Sequence, residues 1–381
     1  MDLKNKKVLV VTTTDNMIWQ FVIPHIEMFT KQGAKVDCAC AKTGFFYDEL
    51  VEKYNLNVFN INFTRFPFTL KNYKARKELI KLCEKNKYDL IYCHQPVGGV
   101  MGRMMGKKFK TKVIYFAHGF HFFKGCPIQN KILYKTIEKH YSKYTDSLIT
   151  INQEDYEASK KMHAKENYKV NGVGIDFNKY SKDPDFDEKK LKKEIGIKNS
   201  DFIVTSIGEL NKNKNTLSLL DSMKYLKEYF AKENKDFNIK YLICGQGKLK
   251  PEYEQKIKEY NLEENVKMLG FKSDIQKYIQ ILDVFIMPSH REGLPKTIME
   301  CMSFGKPIIC SNIRGCRDLV GDNEGGILCE PTNSQEFAEA ILKLYNNKDL
   351  VEKYSKRNLK EIKKYSLENV LKQIKEIVEE L

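Results

Sequence analysis

No run of apolar residues in this chain approaches the roughly 20 needed to cross a bilayer, which excludes a spanning helix. Met1–Lys7 leads into a short strand pattern instead of a signal-peptide core with a small-residue cleavage site, so the protein is expected in the cytoplasm. None of the ten cysteines stands in a Cys-x-x-Cys pair. Cys38 and Cys40 point to one face of a strand, too close for ordinary disulfide geometry, and the set reads as buried thiols of a reducing compartment. His and Cys groups with zinc-like spacing are missing and no Asp-x-Asp sits at a strand end, so no metal is expected. No zinc-finger or RNP sequence accompanies the basic residues, and nucleic acid is not expected as a partner.

What is present is a long alternation of short apolar runs with amphipathic stretches. Val8–Val11, Lys35–Ala41, Leu90–Cys93, Lys112–Ala117 and Ser147–Ile151 predict strands in the first half. Phe202–Ile207, Lys240–Cys244, Val266–Leu269, Val284–Met287 and Pro307–Ser311 predict a second series. The alternation predicts an α/β fold with two Rossmann-like halves. The chain has 381 residues, 42% of them hydrophobic, enough for a core in each half. The polar segment Asp176–Ser200 separates the two series, giving a first domain at 1–178 and a second at 179–355, followed by a highly charged final helix over Leu350–Leu381.

The formal net charge of +15 is uneven. Residues 1–180 hold 30 Lys and Arg against 17 Asp and Glu, whereas residues 181–381 hold 35 against 33. The excess of +13 in the first half is densest over Lys71–Lys87 and over Arg103, Lys107, Lys108, Lys110 and Lys112. Two readings stand: a surface for anionic lipid, at about 1 kcal/mol per basic residue near the membrane, or an ordinary solvated face. Phe63–Phe68 mixes aromatics with Arg65, a composition equally suited to a lipid- or sugar-binding loop and to a packed one.

The segment Glu292-Gly-Leu-Pro-Lys-Thr-Ile-Met-Glu300 carries the clearest chemistry. Val284–Met287 reads as a buried strand, Pro288–Leu294 as a loop and Pro295 as the first helical residue, where a missing N–H costs nothing. The amides of Gly293, Leu294, Lys296 and Thr297 and the positive end of the helix dipole suit a diphosphate, and Gly293 lets it approach the backbone. Glu300 follows about 7 Å further along the axis, at roughly 1.5 Å per residue, within reach of a ribose. Glu292 stands on the sugar side.

Glu292 and Glu300 form an E-x7-E pair. With Ala117-His118-Gly119-Phe120-His121-Phe122, Val173-Gly174-Ile175-Asp176, Ile207–Asn215 and Ile313–Leu319, this pair resembles glycosyltransferase family 4, in the branch that builds bacterial capsule and exopolysaccharide repeat units. The resemblance covers nearly the whole chain. It implies the GT-B fold, two Rossmann-like domains with a cleft between them, and a last helix, 356–381, returning to the first domain. It implies that Gly208, Lys214, Gly245, Gly247 and Phe271 meet the nucleotide with Gly293, Leu294, Pro295, Lys296 and Glu300. The family's usual pattern after the first strand of this domain is Gly-Arg-Leu; here Glu209 replaces the arginine, and Lys212 is expected to supply the missing charge.

On the first domain the resemblance puts His118 beside the reacting sugar with Glu292 opposite, and places His94, Gly119 and His121 on the acceptor side. Thr12–Asn16 stands where many members carry a glycine-rich loop. No first-domain carboxylate is placed for a double displacement, so front-face, metal-independent transfer with retention is implied. The expected reaction moves a hexose or N-acetylhexosamine from a UDP-sugar to a polyprenyl-diphosphate-linked saccharide at the inner face of the membrane, without a cofactor. A UDP-sugar epimerase or hydrolase of the same fold, or a non-catalytic partner subunit that binds nucleotide sugar, is the alternative.

Overall fold

The computed structural model describes residues 1–44, 46–66, 69–321 and 323–381. The chain divides into two units, Met1–Gly174 with Glu368–Leu381, and Ile175–Leu367. The first carries β1 (Lys7–Thr14), β2 (Lys35–Ala41), β3 (Asn57–Asn60), β4 (Leu90–His94), β5 (Lys112–Ala117), β6 (Ser147–Thr150) and β7 (Glu166–Lys169). All pair in parallel in the order β3-β2-β1-β4-β5-β6-β7. The second carries β8 (Phe202–Ile207), β9 (Ile239–Cys244), β10 (Val266–Gly270), β11 (Val284–Met287), β12 (Ile308–Ser311) and β13 (Gly326–Cys329), also parallel, in the order β10-β9-β8-β11-β12-β13. The strand order reverses between β1 and β4 in one sheet and between β8 and β11 in the other. In open parallel sheets ligands bind beyond the carboxyl ends of the strands at such switch points.

All ten expected strands are present. The three not foreseen, β3, β7 and β13, are edge strands, and the sequences Asn-Val-Phe-Asn and Glu-Asn-Tyr-Lys show why they escape notice. A strand covered on fewer sides needs no continuous apolar run. β1 also runs further than expected: Thr12, Thr13 and Thr14 lie within it, buried, and buried Asp15 accepts from the backbone N–H of Thr43 at 3.1 Å.

The final helix is broken. Lys348–Glu361 gives way to a tight turn over Ile362–Tyr365, Ser366 is extended, and a new helix spans Leu367–Glu379. Ile175 N–H donates to Tyr365 O, and Leu367 N–H donates to Ile175 O, both at 2.9 Å. These bonds satisfy backbone groups that the helix gives up, and with no proline or glycine at the break the sequence carries no signal for it. The last helix belongs to the first unit, where it buries Val370, Ile374, Ile377 and Val378. Gln373 accepts from Asn171 N–H at 3.1 Å and Glu380 from the Tyr168 hydroxyl at 2.6 Å.

In the first unit the Pro96–Phe109 helix lies close on the sheet because it presents glycines to it. A Cβ at Gly99 would fall 2.3 Å from the Tyr115 ring, at Gly102 2.5 Å from Cys93, and at Gly106 2.1 Å from Val113. Arg103, expected on a lipid-facing surface, is instead fully buried. Its guanidinium stacks 4.0 Å above the Tyr115 ring, donates to Gly99 O at 2.9 Å and pairs with Glu138 at 2.8 Å. Tyr115, Gly99 and Glu138 enclose a planar charged group that desolvation would otherwise expel. All ten cysteines are free, and nine are buried.

Candidate functional site

In the second unit the loops leaving the two switch-point strands are bound together. Lys214, from the loop after β8, donates to Glu292, from the loop after β11, at 2.8 Å, with side chains only 24% and 13% exposed. Asn211 Oδ1 accepts from Lys214 N–H at 2.9 Å. Asn213 O accepts from His290 N–H at 2.8 Å and its amide donates to Arg291 O at 3.0 Å, while the Asn215 amide reaches Pro288 O and Pro331 O. Asn215 holds φ +55, a conformation asparagine tolerates well. Buried Arg314 donates through Nε to Glu292 O at 3.2 Å. The asparagines and Arg314 lie within the quoted motifs, yet their part in joining the loops had no one-dimensional signal.

The glycines serve backbone approach. Gly315 has φ +72, and a Cβ there would lie 2.0 Å from Gly293 O. At Gly245 a Cβ would meet Gly208 O at 1.8 Å, and at Gly247 Leu210 O at 2.4 Å. Gly208, Gly245 and Gly247 are therefore accounted for by the packing of two loops, with any nucleotide contact additional. Glu209 is exposed and makes no ion pair among the described residues, Lys214 included; Lys212 is likewise exposed. Phe271 is 68% exposed and Leu294 is buried.

The helix starts at Lys296, one residue later than expected, with Pro295 as its extended cap. Glu300 is 8% exposed, and its oxygen lies 3.8 Å from Lys296 Nζ. Burial holds the Glu300 carboxyl above the ordinary range, partly offset by the Lys296 charge and by a hydrogen bond from Tyr180. Burial likewise pushes the Lys296 ammonium below its ordinary value, because desolvation outweighs the pull of Glu300. Tyr180 was not foreseen, since a tyrosine in a polar linker has nothing to mark it.

In the first unit, β5 delivers His118 to its carboxyl end, where Nε2 lies 3.0 Å from Nδ1 of His94, the last residue of β4. His94 is fully buried among Tyr92, Phe116 and His118, ring centroids 4.5, 5.5 and 5.3 Å away. It stands behind His118 instead of lining an acceptor surface, because the central position of β4 covers it on both sides. His25, also fully buried, bonds the Tyr92 hydroxyl at 2.9 Å. Gly119 has φ +138, and the His121 ring lies 4.9 Å from Tyr134. Burial lowers all three histidines, His25 and His118 to about 3. They are neutral at pH 7.

Comparison with known proteins gives the class. Residues 187–361 match the family described as Glycosyl transferases group 1, and residues 7–152 the family described as Glycosyl transferase 4-like. The EpsD protein of Bacillus subtilis is 32% identical over 98% of this chain and 96% of its own. An Escherichia coli enzyme named as an α-1,3-galactosyltransferase from UDP-galactose to GlcNAc-diphosphoundecaprenol is 31% identical over 74% of this chain and 72% of its own. The crystal structure of Anabaena HepE with UDP and glucose superposes with a TM-score of 0.80 at 20% identity, covering 99% of this chain and all of that one. The chain therefore belongs to the family 4 glycosyltransferases of GT-B fold. Within them it is an enzyme of the capsule and exopolysaccharide branch.

Because the folded His25 binds a proton only near pH 3 while the unfolded chain binds one near 6.5, the unfolded state holds more protons in between. Stability is complete above pH 6.5 and falls toward pH 3. His25 alone is expected to cost about 2 kcal/mol between pH 7 and pH 5, at about 1.36 kcal/mol per unit below 6.5. Urea unfolding of His25→Phe at both pH values should show a flatter pH dependence by that amount. An unchanged slope would mean that His25 titrates normally.

Proposed function

We propose that this glycosyltransferase moves a hexose or N-acetylhexosamine from a UDP-sugar, with retention, to a saccharide carried on polyprenyl diphosphate. The observation that carries the reading is the Lys214–Glu292 pair at the β8–β11 switch point, beside the Lys296–Ser303 helix start and one helical stretch from Glu300. The E. coli relative's named reaction and the UDP in the HepE structure agree with it. Lys214 and the loop amides take the diphosphate and stabilise its charge as the glycosidic bond breaks. Glu300, held by Tyr180, accepts from the ribose. Freed from Lys214, Glu292 faces the sugar.

His118 is assigned to orienting the sugar. If His94 Nδ1–H donates to His118 Nε2, the His118 proton sits on Nδ1 as a donor for a sugar hydroxyl, and a neutral ring avoids adding a charge beside the bond that breaks. The leaving diphosphate takes the acceptor proton on the same face. No step calls for a metal, and transfer is expected to persist in excess chelator.

The direct test is a panel of nucleotide sugars screened by thermal shift, then assayed with extracted lipid and analysed for product. UDP should be released only with lipid acceptor present, and the new linkage should keep the donor's anomeric configuration. Free sugar released without acceptor would instead identify a hydrolase. Glu300→Gln should weaken UDP by about 1.5–3 kcal/mol, the worth of a charge-assisted hydrogen bond, or about 10- to 150-fold by titration. Lys214→Ala should weaken UDP more than uridine, and equal effects would remove Lys214 from the phosphates.

A lipid-linked acceptor calls for a membrane-facing surface, and we infer that it lies at the carboxyl edge of the first sheet. Lys107, Lys108, Lys110 and Lys112 run from the end of the Pro96–Phe109 helix to the start of β5, and Lys112 is about 20 Å from His118 at roughly 3.3 Å per residue. Lys107 stacks on Tyr144, Lys108 lies 3.9 Å from Glu84 and Lys112 3.5 Å from Asp146. The carboxyl edge instead carries the starts of the Leu70–Asn86 and Ile128–Ser142 helices, where exposed Leu70, Ile128, Ile132 and Leu133 are interleaved with lysines. That is the pattern of helix ends that enter a bilayer interface. Leu70→Asp with Ile132→Asp should release the protein from anionic vesicles severalfold, while the four-lysine-to-serine variant should still sediment with them. The reverse result would return docking to the lysine patch.

A further inference from the structure

The first unit contains a cavity of about 800 Å³ between the Leu70–Asn86, Pro96–Phe109 and Ile128–Ser142 helices. One wall is the outer face of the Pro96–Phe109 helix. Val97, Val100, Met101 and Met104 recur there at helical spacing, on the side away from the glycines that meet the sheet. At the opposite wall stand Arg65 and Arg76, and neither forms an ion pair among the described residues. Arg76 Nε is sealed from solvent without a hydrogen-bond partner. A guanidinium N–H in that state costs free energy unless an acceptor arrives.

The polar groups of the floor already have partners within the protein. Glu138 lines the cavity but is already committed to Arg103 and the Tyr115 hydroxyl, so its charge is neutralised and does not repel an anion. Gln95, at the strand-to-helix turn, holds φ +62 and accepts from Thr13 N–H at 2.9 Å. A non-glycine residue in that region is strained and persists where the surroundings impose it, often at ligand sites. Thr13, Gln95 and His121 bring the cavity to the sheet edge that carries His118.

The mouth is apolar and exposed. Of the nine large hydrophobic side chains exposed among the described residues, six are Phe66, Leu70, Tyr73, Ile128, Ile132 and Leu133, at or just before the starts of two helices that wall the cavity. Leu70, 84% exposed, and Tyr73 are also lining residues. A site for a sugar or a plain anion has no use for such a rim, and a site for a neutral lipid has none for two unpaired arginines. The ligand that fits both is an amphiphile with a compact doubly charged head.

We propose that this cavity holds the diphosphate and first isoprene units of the lipid-linked acceptor. Arg65 and Arg76 take the diphosphate, with the planar guanidinium fork suited to its oxygens, and the Val97–Met104 face takes the isoprenes. The inference rests on the reading of the acceptor given above.

The test is titration of farnesyl diphosphate into the full chain, with UDP kept saturating so that the second unit's site is filled. The probe carries no sugar and no transfer is measured. Farnesyl diphosphate should bind at least tenfold more tightly than inorganic diphosphate or farnesol. Arg76→Ala should lose tenfold or more. Arg65→Ala, at an exposed position that cannot unsettle the core, should lose at least threefold, and Met104→Asp should abolish binding. The four-lysine-to-serine variant should bind normally. The proposal is overturned if both arginine variants bind within threefold of the parent, or if either control ligand binds as tightly. If acceptor-dependent transfer fails while farnesyl diphosphate binds as described, the proposed reaction falls and this site stands. If transfer proceeds but the arginine variants are indistinguishable from the parent, the site falls and the reaction stands.

Discussion

Lys214 and Glu292 hold the candidate donor site in the form seen here. Each comes from a loop that leaves one of the two strands flanking the switch point of the second sheet, and each is mostly withdrawn from water. Bringing two partly buried charges together is favourable only where the backbone fixes both loops. Asn213, Asn215 and Arg314 provide that, by bonding carbonyls and amides across the gap. The close approaches of Gly315 to Gly293 and of Gly245 and Gly247 to the Gly208–Leu210 backbone serve the same end. The pair is also a placeholder in the proposed reaction: the charge that a diphosphate would meet on Lys214 is, without ligand, lodged on the carboxylate assigned to the sugar.

The first unit is organised by burial of polar groups of a different kind. Arg103, Glu138 and Tyr115 make a closed charged cluster beneath one helix, and His25, Tyr92, His94 and His118 make a neutral chain behind another edge. The first stiffens the wall of a cavity. The second fixes the orientation of the imidazole nearest the strand end and keeps it uncharged. Both lie in the half of the chain that carries nearly all of the excess positive charge, and neither alters it, because Arg103 is offset by Glu138 and the histidines are neutral.

Much of this was legible in one dimension. The interior strands announce themselves because buried parallel strands must be apolar throughout, whereas the Glu292–Glu300 pair is weak alone and draws its meaning from the other motifs that accompany it. What escaped notice depends on three-dimensional neighbours. β3, β7 and β13 are edge strands. The break before Leu367 is made by backbone bonds to Ile175. Tyr180 acquires meaning only from Glu300, and Arg103 was misread because a basic residue among lysines looks exposed until the Tyr115 and Glu138 that cover it are seen. His94 was misread likewise, since its place at a strand end is clear in the sequence and its coverage by neighbouring rings is not.

The central claim is that Lys214 serves the donor's diphosphate and that Glu292 competes for it until the donor arrives. Titration calorimetry of UDP, which has the diphosphate but no sugar, into Glu292→Gln tests this with one substitution. Removing the competing carboxylate should release Lys214 and tighten UDP by about 0.5–1 kcal/mol, the worth of a partly exposed ion pair, or roughly two- to fivefold. UDP binding that is weakened or unchanged in a well-folded Glu292→Gln would contradict the account, because Lys214 would then not be the group that the diphosphate meets.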